Sequence, residues 1–245
     1  MLNAIVISPK CASLSAKVLA EYLDLPYDNP YQSNRRDFLS YGHVINYGFS
    51  RDIHANNLIN RTRPIRNSIN KIDTLSLLDD EDKIIVPFTL NKDTAFAWLD
   101  AGHSVVCRGR VDGSNSAGTM IVADAKDLNE TPAQFWTQYV PHTNEYRVNL
   151  WRDKVVSVYD KVERDVGDGE GMCFSFELFQ GQDEHPQLVA LAKKVYDKIG
   201  LDWCGVDVLR GEDGHLHVLE VNSAPVLYPY TLRKLCNHIE QELNK

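Results

Sequence analysis

Apolar positions along this chain repeat with two different periods, and the repeats mark out its elements. The plainest helical stripe is Leu188, Leu191, Val195 and Ile199, with Pro186 fitting a first turn and Gly200 a stop. A second helix is expected from about Ser13 to Leu23, with Leu14, Val18 and Tyr22 at i, i+4, i+8 and Leu19 and Leu23 alongside. Pro26 and Asp28-Asn29-Pro30 end it. Asn70-Lys71 to Leu78, Asp93 to Leu99 and Thr231 to Leu243 are also helix-compatible, whereas the run around Pro64 is polar and turn-rich. Short runs with strand character fall at Leu2–Ile7, His43–Tyr47, Lys83–Pro87, Ser104–Arg108, Thr119–Val122, Trp136–Val140, Glu145–Trp151 and Val155–Tyr159. The opening is α/β. Its first strand runs into Ser8-Pro9-Lys10 without a GxGxxG turn, which disfavours a dinucleotide-binding start.

The stretch richest in candidate chemistry lies near the C-terminus. Cys204-Gly-Val-Asp-Val-Leu-Arg210 and Leu216-His-Val-Leu-Glu-Val-Asn222 flank Glu212-Asp213-Gly214, which is turn chemistry, so the pair reads as a β-hairpin. Glu220 and Asn222 share one face, and Asp207 joins them if it sits opposite Val218 or Glu220. Two carboxylates and an amide oxygen are hard ligands that suit Mg²⁺. Taken alone, they are equally readable as solvated acids on a half-exposed hairpin. His215 and His217 fall, by strict alternation, on the face opposite Glu220, and no further zinc ligands are evident.

Three more segments carry candidate groups. Asp112-Gly-Ser-Asn-Ser-Ala-Gly118 between two strands has the outline of a flap that offers N–H groups and hydroxyls to phosphates, with Arg108 leading into it. It also reads as an ordinary hairpin turn, and it is not a Walker loop. Arg147 and Lys161 are cations on or just beyond consecutive strands. Gln138-Tyr-Val-Pro141 ends a strand whose free backbone groups an adenine edge could pair with.

Composition narrows the classes. With 245 residues, 43% hydrophobic and 24% charged, the chain is a globular protein with room for one large or several small domains. A net charge of −8 and a pI near 5.5 argue against nucleic acid as the main partner. No apolar run approaches a membrane span, and Met1-Leu-Asn-Ala lacks a secretory leader pattern, so no membrane association and a cytoplasmic location are expected. Five scattered cysteines without a CxxC pair suit free thiols.

In their order along the chain, these motifs resemble the ATP-grasp superfamily. The matching residues are Asn70-Lys71, Pro87-Phe-Thr89, Val105-Val-Cys-Arg108 with the following loop, Gln138-Tyr-Val140, Glu145-Tyr-Arg-Val148, Gly205-Val-Asp207 and Leu219-Glu-Val-Asn222-Ser-Ala-Pro225. The shape is closest to the branch of small glutamate ligases that modify ribosomal protein tails and to phage-encoded relatives. The resemblance implies an α+β fold holding ATP between two subdomains, preceded by a short α/β domain. The implied boundaries are 1–62 for that domain, 63–138 for a lid with the flap, and 139–245 for a catalytic subdomain. Carried over residue by residue, it implies that Lys71 and Arg108 contact ATP phosphates, with Ser114, Asn115, Ser116, Ala117 and Gly118 as the flap. Gln138, Tyr139 and Val140 would border adenine. Asp207, Glu220 and Asn222 would hold one or two Mg²⁺ ions, with Mn²⁺ able to substitute, and Arg147, Lys161 and Asn222 would serve the reacting phosphate. Arg108 stands where many members have Lys, and the flap is poorer in glycine than usual. The activity implied is an ADP-forming carboxylate–amine ligase acting through an acyl phosphate on small-molecule or peptide substrates. A phosphotransferase or a non-catalytic ATP-binding relative is the alternative. Substrates are not legible in the sequence. If the chain is phage-encoded, the location implied is the host cytoplasm.

Overall fold

A computed structural model of the chain describes residues 3–9, 14–79, 84–112, 118–164, 173–179 and 186–245. The N-terminal elements are β1 (Ala4–Ile7), α1 (Leu14–Tyr22), β2 (Tyr27–Asp28), β3 (His43–Asn46) and β4 (Leu58–Ile59), and their parallel sheet runs β2-β1-β3-β4. All four residues of β1 are buried, as expected for a parallel strand covered on both faces. The buried side of α1 is Ala16, Leu19 and Ala20, continued by Leu23 beyond its end. The expected stripe through Leu14 and Tyr22 is not the core face, for these are 74% and 52% exposed. Small alanines let the helix lie close to the sheet, a preference that a search for large apolar residues overlooks.

Next come α2 (Thr62–Ile69) and α3 (Lys71–Leu78). The run around Pro64 is therefore helical, because proline in a first turn gives up an N–H that has no intrahelical partner anyway. Asn70 caps α3 by accepting from the N–H groups of Ile72 and Asp73. Ile65, Leu75 and Leu78 belong to the core of the C-terminal sheet, so both helices pack on it. The expected strand ending at Pro87 reduces, among its described residues, to one parallel bridge between Ile85 and Val218.

The lid comprises β5 (Phe88–Thr89), α4 (Lys92–Asp100), β6 (Val105–Arg108), β7 (Thr119–Val122), α5 (Ala125–Glu130) and β8 (Phe135–Gln138), with sheet order β5-β8-β6-β7. The sequence reading did not anticipate α5.

The C-terminal unit holds β9 (His142–Trp151), β10 (Lys154–Arg164), β11 (Cys173–Leu178), α6 (Pro186–Ile199), β12 (Trp203–Gly211), β13 (Leu216–Asn222) and α7 (Pro229–Leu243). Its antiparallel sheet runs β11-β10-β9-β12-β13. One face carries Val148, Leu150, Cys204, Val206, Val208, Val218 and Val221 against Leu188, Leu191, Val195 and Ile199 of α6. Each such fully buried aliphatic side chain stabilises the fold by ~1.5–3 kcal/mol. The other face is divided. Trp151 and Trp203 lie under Leu232, Leu235 and Ile239 of α7, and the remainder is polar and forms the site. Among the described residues no helix is long and apolar enough to cross a membrane.

One contact closes the C-terminal unit and another ties the N-terminal sheet to it. Arg152, at φ +52°, donates its N–H to the Asp202 carbonyl at 2.6 Å, and its guanidinium forks onto Glu242 of α7 at 2.9 and 3.1 Å. Gly48, at φ +88°, lies where a Cβ would come within 2.9 Å of the Ala224 Cβ, and the Tyr47 hydroxyl donates to the Pro225 carbonyl.

Both contacts are testable. Arg152 first, then Lys245, holds the Glu242 carboxyl down at about 2. That contribution is complete above the unfolded value near ~4.5 and is lost as pH falls through about 2. Glu242→Gln should therefore flatten the acid side of a melting-temperature profile. Gly48→Ala should cost ~1–3 kcal/mol in denaturant unfolding, since both the backbone angle and the space oppose a side chain.

Candidate active site

The hairpin register sets Asp207 opposite Glu220 and Gly205 opposite Asn222. Val208 then faces Val218, so Leu219 is an extra residue in β13. Such a bulge shifts the alternation by one. It lets Val218 and Val221 both enter the core while Glu220 and Asn222 stay on the polar face. It also moves His217, opposite Leu209, onto the same face as Glu220. The expectation that His217 lies on the reverse side is corrected, because strict alternation cannot anticipate a bulge. Its Nδ1 lies 3.4 Å from the Ile85 carbonyl.

Arg147 of β9 stands beside Asp207 and forks onto it, Nε to Oδ1 and Nη2 to Oδ2, both at 2.6 Å. These side chains are only 13% and 4% exposed. Burial pushes the Asp207 carboxyl up to about 6 against the pull of Arg147. Burial also opposes the Arg147 charge, yet Asp207, Glu220 and Glu145 outweigh it and hold the guanidinium above its usual value. Glu220 is bonded by Asn222 Nδ2 at 3.1 Å and by Lys71 Nζ at 3.2 Å. Burial disfavours the Glu220 charge, but Lys71 and the hydrogen bonds prevail and its pKa is lowered. Arg108 lies near enough to Glu220 to feel its charge, and burial shifts the Arg108 guanidinium downward. Its Nε is buried without a partner among the described residues.

Six sequence candidates thus converge: Lys71, Arg108, Arg147, Asp207, Glu220 and Asn222. Lys161 shares the face but lies against Glu145 at 2.6 Å. Ser114, Asn115, Ser116 and Ala117 lie outside the described residues; Gly118, at φ +74°, closes the loop base by accepting from Gly109 N–H at 2.8 Å. The strand end proposed for adenine is less open than expected. The Gln138 N–H donates to the Pro87 carbonyl at 2.8 Å and the Tyr139 N–H to the Ser104 carbonyl at 2.9 Å, because the lid sheet continues past β8. The Val140 carbonyl meets His142 Nδ1 at 3.0 Å. Two participants were given no role from the sequence. Glu145 anchors Lys161, and the fully buried Asn149 donates to Ser157 at 3.0 Å while its Oδ1 has no partner among the described residues. The period of two through Glu145, Arg147 and Asn149 was the available signal.

The donor set fits Mg²⁺. A carboxylate has about four lone-pair positions, and Asp207 and Glu220 each receive two bonds, which leaves room on both. Lys71, Arg108 and Arg147 around them match the charge of a polyphosphate. A cleft of about 670 Å³ opens from Lys71, Glu220 and Asn222 towards Pro9, Tyr31, Tyr47 and Ser50 of the N-terminal domain.

Comparison with known proteins now decides the fold. Residues 138–242 match the RimK-like ATP-grasp domain family. The ATP-grasp ligase PsnB complexed with minimal precursor superposes with a TM-score of 0.75 at 14% identity, covering 99% of this chain and 100% of that one. The chain has the ATP-grasp fold. PsnB with its minimal precursor, Mg and ADP gives a TM-score of 0.72 at 16% identity over 99% and 98% of the two chains. D-alanyl-alanine synthetase A from Vibrio cholerae gives 0.72 at 14% identity over 100% of both. No curated protein sequence matches. The Asp207–Glu220–Asn222 hairpin lies inside the segment matched to the RimK-like ATP-grasp family.

The two acids should behave differently on substitution. Asp207→Asn strands the buried Arg147 cation and should cost ~3–5 kcal/mol in chemical denaturation. Glu220→Gln, whose partners Lys71 and Asn222 reach the cleft, should cost under ~1 kcal/mol. Equal losses would place both acids in one structural role.

Proposed function

We propose that the protein is an ATP-dependent, ADP-forming carboxylate–amine ligase that works through an acyl phosphate in the presence of Mg²⁺. The observation carrying this reading is the convergence of Asp207, Glu220 and Asn222 with Lys71, Arg108 and Arg147 beside one cleft, which Lys71, Glu220 and Asn222 line. The ATP-grasp fold shared with PsnB and D-alanyl-alanine synthetase A supports it.

In this reading Mg²⁺, held by Asp207, Glu220 and Asn222, would neutralise phosphate charge and orient the chain of phosphates. Lys71 enters on the first turn of α3 and Arg108 at the end of β6, so phosphates are approached from two elements. The unpartnered Arg108 Nε gains an acceptor when an oxyanion arrives. Lys71 turns from Glu220 to phosphate at little cost, since one cation replaces another beside the carboxylate. Arg147 is held rigidly by Asp207 and by stacking on Phe176 at 4.7 Å, which fixes its charge beside the reacting phosphate. Such positioning and charge stabilisation account for most of what phosphoryl transfer asks of a protein. The substrate carboxylate takes the γ-phosphoryl group and ADP departs; the amine then attacks the acyl carbon, phosphate leaves, and the amine loses its proton. The protein supplies no nucleophile. Val140, at the junction of lid and catalytic sheet, is the place we assign to adenine.

Hydroxylamine in place of the amine tests the reaction directly. With a productive carboxylate it should give a hydroxamate and ADP in equal amounts, whereas a kinase gives ADP and a stable phosphorylated product. Glu220→Gln should lower that turnover by at least about a hundredfold. Asp213→Asn in the exposed hairpin turn should leave it unchanged. A Glu220→Gln enzyme with full activity would sink the metal-site reading.

A further inference from the structure

The lid has a core of its own, built from Ala95, Val105, Cys107, Val122, Leu128 and Trp136. Phe88 and Val140 reach from it to the core of the C-terminal sheet where the chain crosses between the two units, and Phe135 of β8, 1% exposed, joins them. Val111 reaches the same core from a different place, the base of the loop that follows β6. It is the one apolar residue in the run Gly109-Arg-Val-Asp112 and is partly buried. The side chains of Arg110 and Asp112 on either side are 61% and 62% exposed, and their mutual contact at 3.6 Å does little to hold the run in place.

The backbone of Val111 is engaged as well. The first turn of a helix has N–H groups without an intrahelical acceptor. In α3 the Asn70 side chain takes those of Ile72 and Asp73, and the Asn70 carbonyl takes that of Thr74 at 2.9 Å. Lys71 is left, and its N–H donates to the Val111 carbonyl at 2.9 Å. Its Nζ meanwhile holds Glu220 at 3.2 Å. One residue therefore ties the loop base through its backbone and the metal-type hairpin through its side chain. Asp112, next to Val111, lines the cleft together with Lys71 and Glu220.

We propose that Val111 latches the lid to the catalytic sheet in the nucleotide-free protein, and that release of this latch sets the rate at which ADP leaves. The second half rests on the nucleotide reading given above. Phe88, Phe135 and Val140 form the hinge side of the junction, since two of them sit at the chain crossings and the third is fully buried. Val111 is on the cleft side, held by a partly buried side chain and one hydrogen bond, a contact small enough to open and re-form. A nucleotide held by both Lys71 and Arg108 bridges the units that Val111 joins, so the separation that frees it also undocks Val111.

Backbone hydrogen exchange in the nucleotide-free protein tests the latch. The Lys71 amide should exchange slowly, and Val111→Ser should speed it by about 5- to 20-fold, the scale set by the apolar area that a partly buried valine gives up. The Thr74 amide, bonded to the Asn70 carbonyl within the same helix, should keep its rate. Val111→Ile, which retains the apolar contact, should leave both amides as they are. Stopped-flow release of a fluorescent ADP into excess ATP should quicken in Val111→Ser by about the same 5- to 20-fold. Equal acceleration at Lys71 and Thr74 would reduce Val111 to a support of α3 and overturn the proposal. An unchanged Lys71 amide, or unchanged release of the fluorescent ADP, would overturn it too. Failure of the nucleotide reading would show separately, as no binding of fluorescent ADP at all, while exchange at Lys71 still decides whether the latch exists.

Discussion

Taking Arg147 and Asp207 out of water together is tolerable only because a planar fork meets a carboxylate edge with both bonds made, at 2.6 Å each. Neighbouring parts of the site are arranged around that pair. It occupies the centre of the polar face, on β9 and β12, with β13 and its Glu220 to one side and β10 with Lys161 to the other. Opposite charges alternate across the sheet: Lys161 on Glu145, Arg147 on Asp207, Lys71 on Glu220. The site is thus close to neutral before any ligand arrives, which allows so many ionised groups to sit together in partial burial.

The core on the reverse face makes this arrangement affordable in stability. Val148, Val206, Val208, Val218 and Val221 pack on α6 as an almost pure aliphatic layer. The bulge at Leu219 keeps both faces satisfied, since in a regular strand Val218 and Glu220, two residues apart, would point to the same face. Gly205 shows the same tightness. A Cβ there would lie 2.9 Å from Pro225 and 3.1 Å from the Asn149 amide, so the loop after Asn222 can fold back only over glycine.

Attachment of the N-terminal domain extends the polar face of the C-terminal sheet into a cleft. Tyr47 bonds to Pro225, Gly48 touches Ala224, and Asn60 exchanges hydrogen bonds with Trp203 at 2.9 and 2.8 Å. These contacts place the carboxyl ends of a parallel sheet directly beside the metal-type hairpin. The cleft is lined from both units.

How much of this was written in the chain itself depends on the range of the interaction. Local periodicity and turn chemistry determined α6, α3, the C-terminal hairpin and the pairing of Glu220 with Asn222, because each rests on residues within a few positions of one another. The order of the motifs was enough to indicate the ATP-grasp fold. Tertiary structure alone decided the side of β13 on which His217 lies, because a bulge is set by what the neighbouring strand and core require. It also decided the buried side of α1, where close approach to the sheet selects alanine over leucine. The packing of α2 and α3 with the core of the C-terminal sheet, the occupied N–H groups of Gln138 and Tyr139, and the stacking of Arg51 on Tyr31 likewise belong to contacts between separate segments. Such contacts leave no periodic trace, since their partners are brought together only when the chain closes on itself.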